Sequence, residues 1–202
     1  MTRSRLRTIA AVLGVVAIAV FQRPAAAQAA GSAATNYPGR YPFTAADVHF
    51  ISGMIHHHAQ AILMANWAPT HGANTSVRVM CERIINAQTD EITLMQSWLQ
   101  DRHQPVPEAK SGPMKMLMNG MEHEMLMPGM LSDAQMKQLE QAKSTEFDRL
   151  FLTFMIQHHR GAITMVEALL ASNGAAQDEF VYKFQSDVYA DQGTEIERMQ
   201  KM

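Results

Sequence analysis

The sequence of 202 residues contains a single cysteine, Cys81. One thiol cannot build an intramolecular disulfide framework or a thiolate-cluster metal site. It also excludes a lipoprotein, because no cysteine follows the apolar N-terminal stretch. Any metal site in this chain must therefore use other side chains.

Aromatic and charged residues are also scarce, at 7% and 18%, and the formal net charge is only −2. The near-neutral charge argues against a protein that binds nucleic acid through a basic surface. The hydrophobic fraction of 47% excludes a disordered chain, and the length is that of one ordinary domain. Against this background the 17 methionines and 9 histidines stand out.

Long apolar runs are lacking as well. The run from residue 9 to 21 is shorter than the roughly 20 residues that span a bilayer. Because Arg3, Arg5 and Arg7 precede it and an Ala-Ala-Ala site follows, residues 1–27 are typical of a secretory signal peptide, the alternative being an uncleaved anchor helix. Cleavage removes four arginines and no acid, which lowers the formal charge from −2 to −6. We expect a periplasmic or secreted protein with no membrane span after cleavage.

Residues 44–202 predict an all-α fold, with no strand pattern. Thr44 and Asp47 form a capping-box motif before an apolar period that runs to Ala68. Residues 28–43 are expected to be a flexible leader and residues 102–131 a methionine-rich connecting loop. Further long helices are predicted over 75–101, 145–172 and 177–201, with a short helix near 133–142.

The chain contains an internal repeat. DVHFISGMIHHHAQAILM (47–64) aligns with DRLFLTFMIQHHRGAITM (148–165) at an offset of 101 residues, and QTDEITLM (88–95) matches QGTEIERM (192–199). Each repeat is a helical hairpin that cannot bury its apolar face alone. The sequence therefore predicts a ferritin-like four-helix bundle made of two duplicated hairpins.

Both repeats place histidine, methionine, glutamine and glutamate at one level of the bundle. Such groups would cost about 1–3 kcal/mol each if they were buried without partners. The alternative to a metal site is a hydrogen-bonded core in which methionine fills gaps. The predicted metal ligands are His57, His58, Met54 and Met64 with His158, His159, Met155 and Met165, and their predicted outer partners are Gln88, Glu91, Gln192 and Glu195.

Adjacent histidines on a helix diverge by about 100°, so a pair does not chelate one ion side by side. One ring of each pair is expected to bind metal while the other faces a neighbouring helix or a second ion. Thioethers suit Cu(I), and imidazoles suit copper in either state. Whether the pairs share one site stays open; parallel first and third long helices would bring both pairs to one level. The remaining helical and turn histidines, and Cys81, are expected to take no part: His49, His56, His71 and His103.

The connection between the two hairpins carries seven methionines, one histidine and two glutamates within residues 114–130. Several thioethers there could converge on a soft monovalent ion. Alternatively, the segment is a flap over the open end of the bundle, a partner surface or a sink for oxidants. The candidate ligands are Met114, Met116, Met118, Met121, His123, Met125, Met127 and Met130.

The paired motifs M-I-x-H-H-x-x-A-I-x-M, each followed by Q-x-x-E-I-x-x-M, resemble the family called domain of unknown function 305. This resemblance over residues 44–202 implies a ferritin-like helical bundle, export, and CopM-type copper binding linked to copper tolerance. It points to the four paired histidines with the four methionines named above. The chain departs from the family pattern at His56, where proline is frequent, at Gln157, and in its denser methionine segment.

The leading hypothesis is a non-enzymatic extracytoplasmic protein that sequesters or transfers Cu(I), and also accepts Cu(II), through histidine and methionine. Another periplasmic copper carrier or exporter would be its partner, and its oligomeric state is open. A carboxylate-bridged di-metal oxidase is disfavoured because the chain has no Glu-x-x-His motif. A copper oxidase and a metal-free helical interaction module remain as alternatives.

Overall fold

The computed structural model describes residues 42–118 and 121–202, without the side chains of 116–118. The predicted signal peptide and nearly all of the predicted leader lie outside these residues. The described chain is mostly helical, as expected. The elements are α1 (Ala45–Asn66), α2 (Thr75–Asp101), β1 (Met114–Met118), β2 (Met121–Met125), α3 (Asp133–Gln141), α4 (Ser144–Leu170) and α5 (Glu179–Gln200).

The predicted start of the first helix is confirmed. The Asp47 amide donates to Thr44 Oγ1 at 3.2 Å, and the Thr44 amide donates back to Asp47 Oδ2 at 2.7 Å, which satisfies two amides that the helix leaves unpaired. Phe43, assigned above to the leader, instead belongs to the core: its ring packs edge-on against Trp98 with a centroid distance of 5.5 Å. The ordered fold therefore begins before the helix does.

The two hairpins are joined by a reciprocal contact of their first aspartates. Asp47 Oδ1 accepts a hydrogen bond from the Ala176 amide, in the turn of the second hairpin, at 2.7 Å. Its repeat partner Asp148 accepts from the amide and side chain of Asn74, in the turn of the first hairpin. The start of α1 therefore meets the end of α4, and the start of α4 meets the end of α1.

Helices α1 and α4 consequently run antiparallel, and the parallel arrangement considered above is wrong. Antiparallel helices of equal register still bring their midpoints together, because a twofold axis across the pair maps each repeat onto the other. The segment between α2 and α4 returns the chain to the end of α1. There the Ser144 amide donates to the His71 carbonyl at 2.7 Å. Both histidine pairs therefore lie at one level of the bundle, as expected, although the twofold axis differs from the one that parallel helices would have.

The core follows the apolar period of the helices. Cys81 is a small buried residue within this core. Burial raises the pKa of its thiol to about 12, so it stays protonated. The fully buried apolar side chains include Met54, Met64, Met95, Met155, Ile84 and Phe151.

The prediction that the chain has no strands is wrong. β1 and β2 form an antiparallel hairpin in which Met114 pairs with Met125 and Met118 pairs with Met121. Two signals in the sequence favour this: Met-Glu-His-Glu-Met alternates with a period of two, and the pair Asn-Gly stands between the strands.

Within residues 42–118 and 121–202, no helix is long and apolar enough to cross a membrane.

Candidate metal centre

The two repeats meet at a pair of histidines in the middle of the bundle. His57 on α1 and His158 on α4 are both fully buried, and their ring centroids lie 3.7 Å apart at an interplanar angle of 36°. The antiparallel packing of α1 and α4 produces this contact. The histidine level predicted from the repeats is therefore a single cluster at the centre of the molecule.

The second histidine of each pair points away from that contact, towards the partner helix of its own hairpin. His58 Nε2 donates to Glu91 Oε2 on α2 at 2.6 Å, and His159 Nε2 donates to Glu195 Oε2 on α5 at 2.7 Å. Rings within a pair are 6.4 and 6.2 Å apart, so adjacent histidines diverge as expected. The predicted contacts of the two glutamates with buried imidazoles are present.

A short segment after β2 crosses both central helices at this level. We call residues Met127–Leu131 the strap. The Pro128 carbonyl accepts from His57 Nε2 at 3.0 Å, and the Gly129 carbonyl accepts from the Gln157 side chain at 3.2 Å. Gln60 forms a two-way amide pair with the Leu131 backbone, at 3.1 and 2.6 Å.

The strap lies directly on the backbone of α4. A Cβ at Gly161 would sit 2.0 Å from the Pro128 carbonyl oxygen, and one at Gly129 would sit 2.6 Å from the Gly161 Cα. Only glycine permits this close approach. The methionine-rich connection therefore covers the side of the bundle at the histidine level and not its open end, which corrects the expected position of a flap.

Five ring nitrogens of the four histidines are buried without a hydrogen-bond partner. They are Nδ1 of all four rings and Nε2 of His158. The side-chain oxygens of Gln88 and Gln192, the predicted outer partners, are also buried and unpaired. Native proteins leave few buried polar atoms unpaired, so these seven atoms are candidates for contacts with a bound ligand.

The tautomers suit metal binding. Burial lowers the pKa of His57 and His158 well below 6.5, and the neighbouring histidines lower it further. Neutral His57 carries its proton on Nε2, where the Pro128 carbonyl accepts it, and this leaves the Nδ1 lone pair free. A histidine that donates one N–H to a carbonyl or carboxylate and leaves the other nitrogen free has the usual arrangement of a metal-ligating histidine.

The candidate methionine ligands whose side chains the structure describes divide into three groups. Met54, Met64 and Met155 are fully buried and Met165 is 6% exposed, so all four repeat methionines line the interior. Met114, Met127 and Met130 are also buried, whereas Met121 and Met125 are 62% and 43% exposed on the hairpin, as is His123. The side chains of Met116 and Met118 are outside the described set. Among the described residues, no group of three or more His, Cys, Asp or Glu side chains is arranged to hold a metal ion.

The residues that sequence reasoning missed are those that hold the strap: Gln60, Gln157 and Gly161. A mismatch between the repeats was the available signal, since Gln60 and Gly161 are repeat partners with unlike side chains. His71, in the turn after α1, is buried, with Nε2 bonded to the Glu140 carbonyl at 2.7 Å. His56 bonds through Nδ1 to the Lys110 carbonyl at 2.9 Å, as a surface residue.

Residues 47–202 match the family model "Domain of unknown function (DUF305)". The chain belongs to the DUF305 family. No curated protein matches it.

Solved structures of this family share the fold. A DUF305 fragment from Deinococcus radiodurans matches with a TM-score of 0.64 and 26% identity, over 79% of this chain and 95% of the other. A DUF305 protein from Streptomyces coelicolor, described as secreted, matches with 0.63 and 27%, over 76% and 89%. CopM in the Cu(I)-bound form matches with 0.56 and 27%, over 77% and 93%, and CopM was also solved with Cu(II) and with silver.

Proposed function

We propose that this DUF305 protein is an extracytoplasmic, non-enzymatic copper-binding protein that sequesters copper or passes it on. The observation that carries the proposal is the buried cluster of four histidines with five unpartnered ring nitrogens. The Cu(I)-bound and Ag-bound forms of CopM, a structural relative, support copper as the bound ion.

The donor set favours Cu(I). Imidazole binds copper in both oxidation states, and thioether sulfur is a soft ligand that selects the monovalent ion. His57 and His158 are neutral at pH 7, so no proton has to leave them before an ion binds. Met54 and Met155 each stand three residues before the first histidine of a pair, on the same helix face. We assign Glu91 and Glu195 the role of orienting His58 and His159.

Export is part of the proposal. The arginine-flanked apolar run and the alanine site at residues 1–27 support a signal peptide. The periplasm or cell exterior would then be the place of copper binding, with another copper carrier or exporter as partner and copper tolerance as the outcome.

The test is anaerobic titration of the purified protein with Cu(I) against a chromophoric chelator. We expect the wild-type protein to withdraw copper from the chelator, and a variant with all four paired histidines changed to glutamine to lose most of that capacity. A control variant changes the surface histidines His56 and His103 to glutamine and should compete like wild type. Circular dichroism verifies that both variants are folded. Failure of the folded wild type to compete would overturn the proposal.

A further inference from the structure

A cavity lies between α1 and α4, about two helical turns from the histidine cluster. It has a volume of about 260 Å³ and mostly apolar walls. Three methionines line it. Met125 in β2 and Met127 in the strap belong to the methionine-rich connection, and Met165 lies on α4. The imidazole of His49 lines it too, eight residues before His57 on α1, or roughly 12 Å along the axis.

The cavity exists because the two repeats differ there. The pseudo-twofold axis maps its walls onto the opposite end of the α1–α4 pair, where the second copy is filled by large apolar side chains of the core. Several positions at the cavity carry smaller or more polar residues than their repeat partners, whereas Phe50 and Met165 match Phe151 and Met64, and Leu169 is larger than Ala68. The pairs with the smaller or more polar residue at the cavity are Ala46 with Phe147, His49 with Leu150, Gly53 with Phe154, and Ala168 with Trp67.

Gly53 brings two of the sulfur-bearing side chains together. A Cβ at this position would lie 2.6 Å from Met127 Sδ and 3.4 Å from Met165 Cε, so both methionines reach the same point on α1. Met127 and Met165 are 3% and 6% exposed, whereas Met125 is 43% exposed. The thioethers therefore extend from the solvent edge of the cavity to its buried floor.

We infer that this cavity is a separate binding site for a soft monovalent cation, Cu(I) or Ag(I), with Met125, Met127, Met165 and His49 as ligands. Three thioethers and one imidazole form a neutral, soft donor set that selects a monovalent d¹⁰ ion over divalent ions with oxygen preference. The apolar walls limit competition by water.

The position of the cavity gives the site a role in loading the protein. Met127 immediately precedes Pro128, whose carbonyl bonds to His57, so one short segment touches both sites. An ion captured at exposed Met125 can move inward along the thioethers towards the imidazoles. This role in loading rests on the proposed function, but binding at the thioethers does not.

The experiment compares two triple variants by Cu(I) stoichiometry and by X-ray absorption at the copper edge. The first changes Met125, Met127 and Met165 to leucine, a swap that nearly conserves volume. The control changes Met80, Met136 and Met202 to leucine. These three residues do not line the cavity, but like the first set they comprise one exposed and two more buried methionines. We expect the first variant to bind one Cu(I) fewer with clearly less sulfur scattering, and the control to match wild type.

Two further variants separate this inference from the proposed function. The four-histidine variant should keep one Cu(I) with mainly sulfur ligands. Adding His49→Leu to it, which installs the residue of the other repeat, should lower the affinity for that remaining Cu(I) by at least about tenfold. Unchanged stoichiometry and sulfur scattering in the first triple variant would overturn the cavity site while leaving the histidine cluster intact. Loss of all copper in the four-histidine variant would overturn it too.

Discussion

The two histidine pairs have the same origin in sequence and nearly the same hydrogen bonds, yet their surroundings differ. The outer half of each pair is its second histidine, His58 or His159, and the inner half is its first, His57 or His158. The outer histidines bond to glutamates at 2.6 and 2.7 Å, so the outer halves are equivalent. The inner halves are not: His57 bonds to the strap, whereas both nitrogens of His158 are unpartnered. Duplication supplied a symmetric pair of half-sites, and a single connecting segment, which has no second copy, makes them unequal.

The strongest way to break this asymmetry is to push the strap away from α4. Gly161→Ala places a methyl group where the Pro128 carbonyl lies, so we expect the free energy of unfolding to fall by about 3 kcal/mol despite the better helix propensity of alanine. Urea denaturation measures the change.

Gly193→Ala is the matched control, because it lies within α5 with no atom closer than 4 Å to the new methyl group. It should stabilise by about 0.5–1 kcal/mol. Equal stabilisation by both substitutions would show that the strap does not rest on α4 in solution.

A second comparison uses acid. His57 and His158 stay neutral in the fold because burial lowers their pKa, whereas the unfolded chain binds protons on both near pH 6.5. The two neutral rings therefore make their full contribution to stability above pH 6.5, and the free energy of unfolding falls as the pH drops below that value. Between pH 7.5 and 5.5 the two rings together should cost the metal-free protein about 2–3 kcal/mol in the free energy of unfolding.

The single variants His57→Gln and His158→Gln sharpen the comparison between the inner half-sites. Each should remove about half of the pH dependence measured by urea denaturation at the two pH values. A double variant with the same pH dependence as wild type would contradict the assignment of neutral, buried rings.

The smallest expected effect tests the equivalence of the outer halves. Glu91→Ala and Glu195→Ala each leave a buried imidazole N–H unpaired, so each should lower the free energy of unfolding by about 1–2 kcal/mol, and by the same amount. Glu146→Ala, which breaks an exposed pair with Arg149, should change nothing measurable. Thermal or urea denaturation provides the numbers, and unequal losses would show that the strap influences the outer halves as well.

Much of this arrangement could be predicted from the sequence because it repeats. The 101-residue offset identified the hairpins, the capping motif at Thr44 located the first helix, and the hairpin geometry placed Glu91 and Glu195 near the histidines. These features depend on helix periodicity and on contacts within one hairpin, which are local in sequence.

What could not be predicted depends on contacts between distant segments. The direction of α4 relative to α1 is fixed by turns that meet opposite helix ends, and the strap reaches Gln60 over 71 residues. The strands were missed for a different reason, since methionine is a poor indicator of strand structure and the alternation was short. The position of His49 beside Met125, Met127 and Met165 likewise depends on the packing of distant segments.

The reciprocal hydrogen bonds of Asp47 and Asp148 have a consequence for how the molecule unfolds and for what a single hairpin requires. Each carboxylate accepts a hydrogen bond from the turn of the other hairpin, so neither half contains the carboxylate that bonds to its own turn. Separate expression of the halves should yield chains that are unfolded alone and regain helicity when mixed. A single hairpin could meet the same requirement by pairing with a second copy of itself, and the repeat supplies that second copy within one chain.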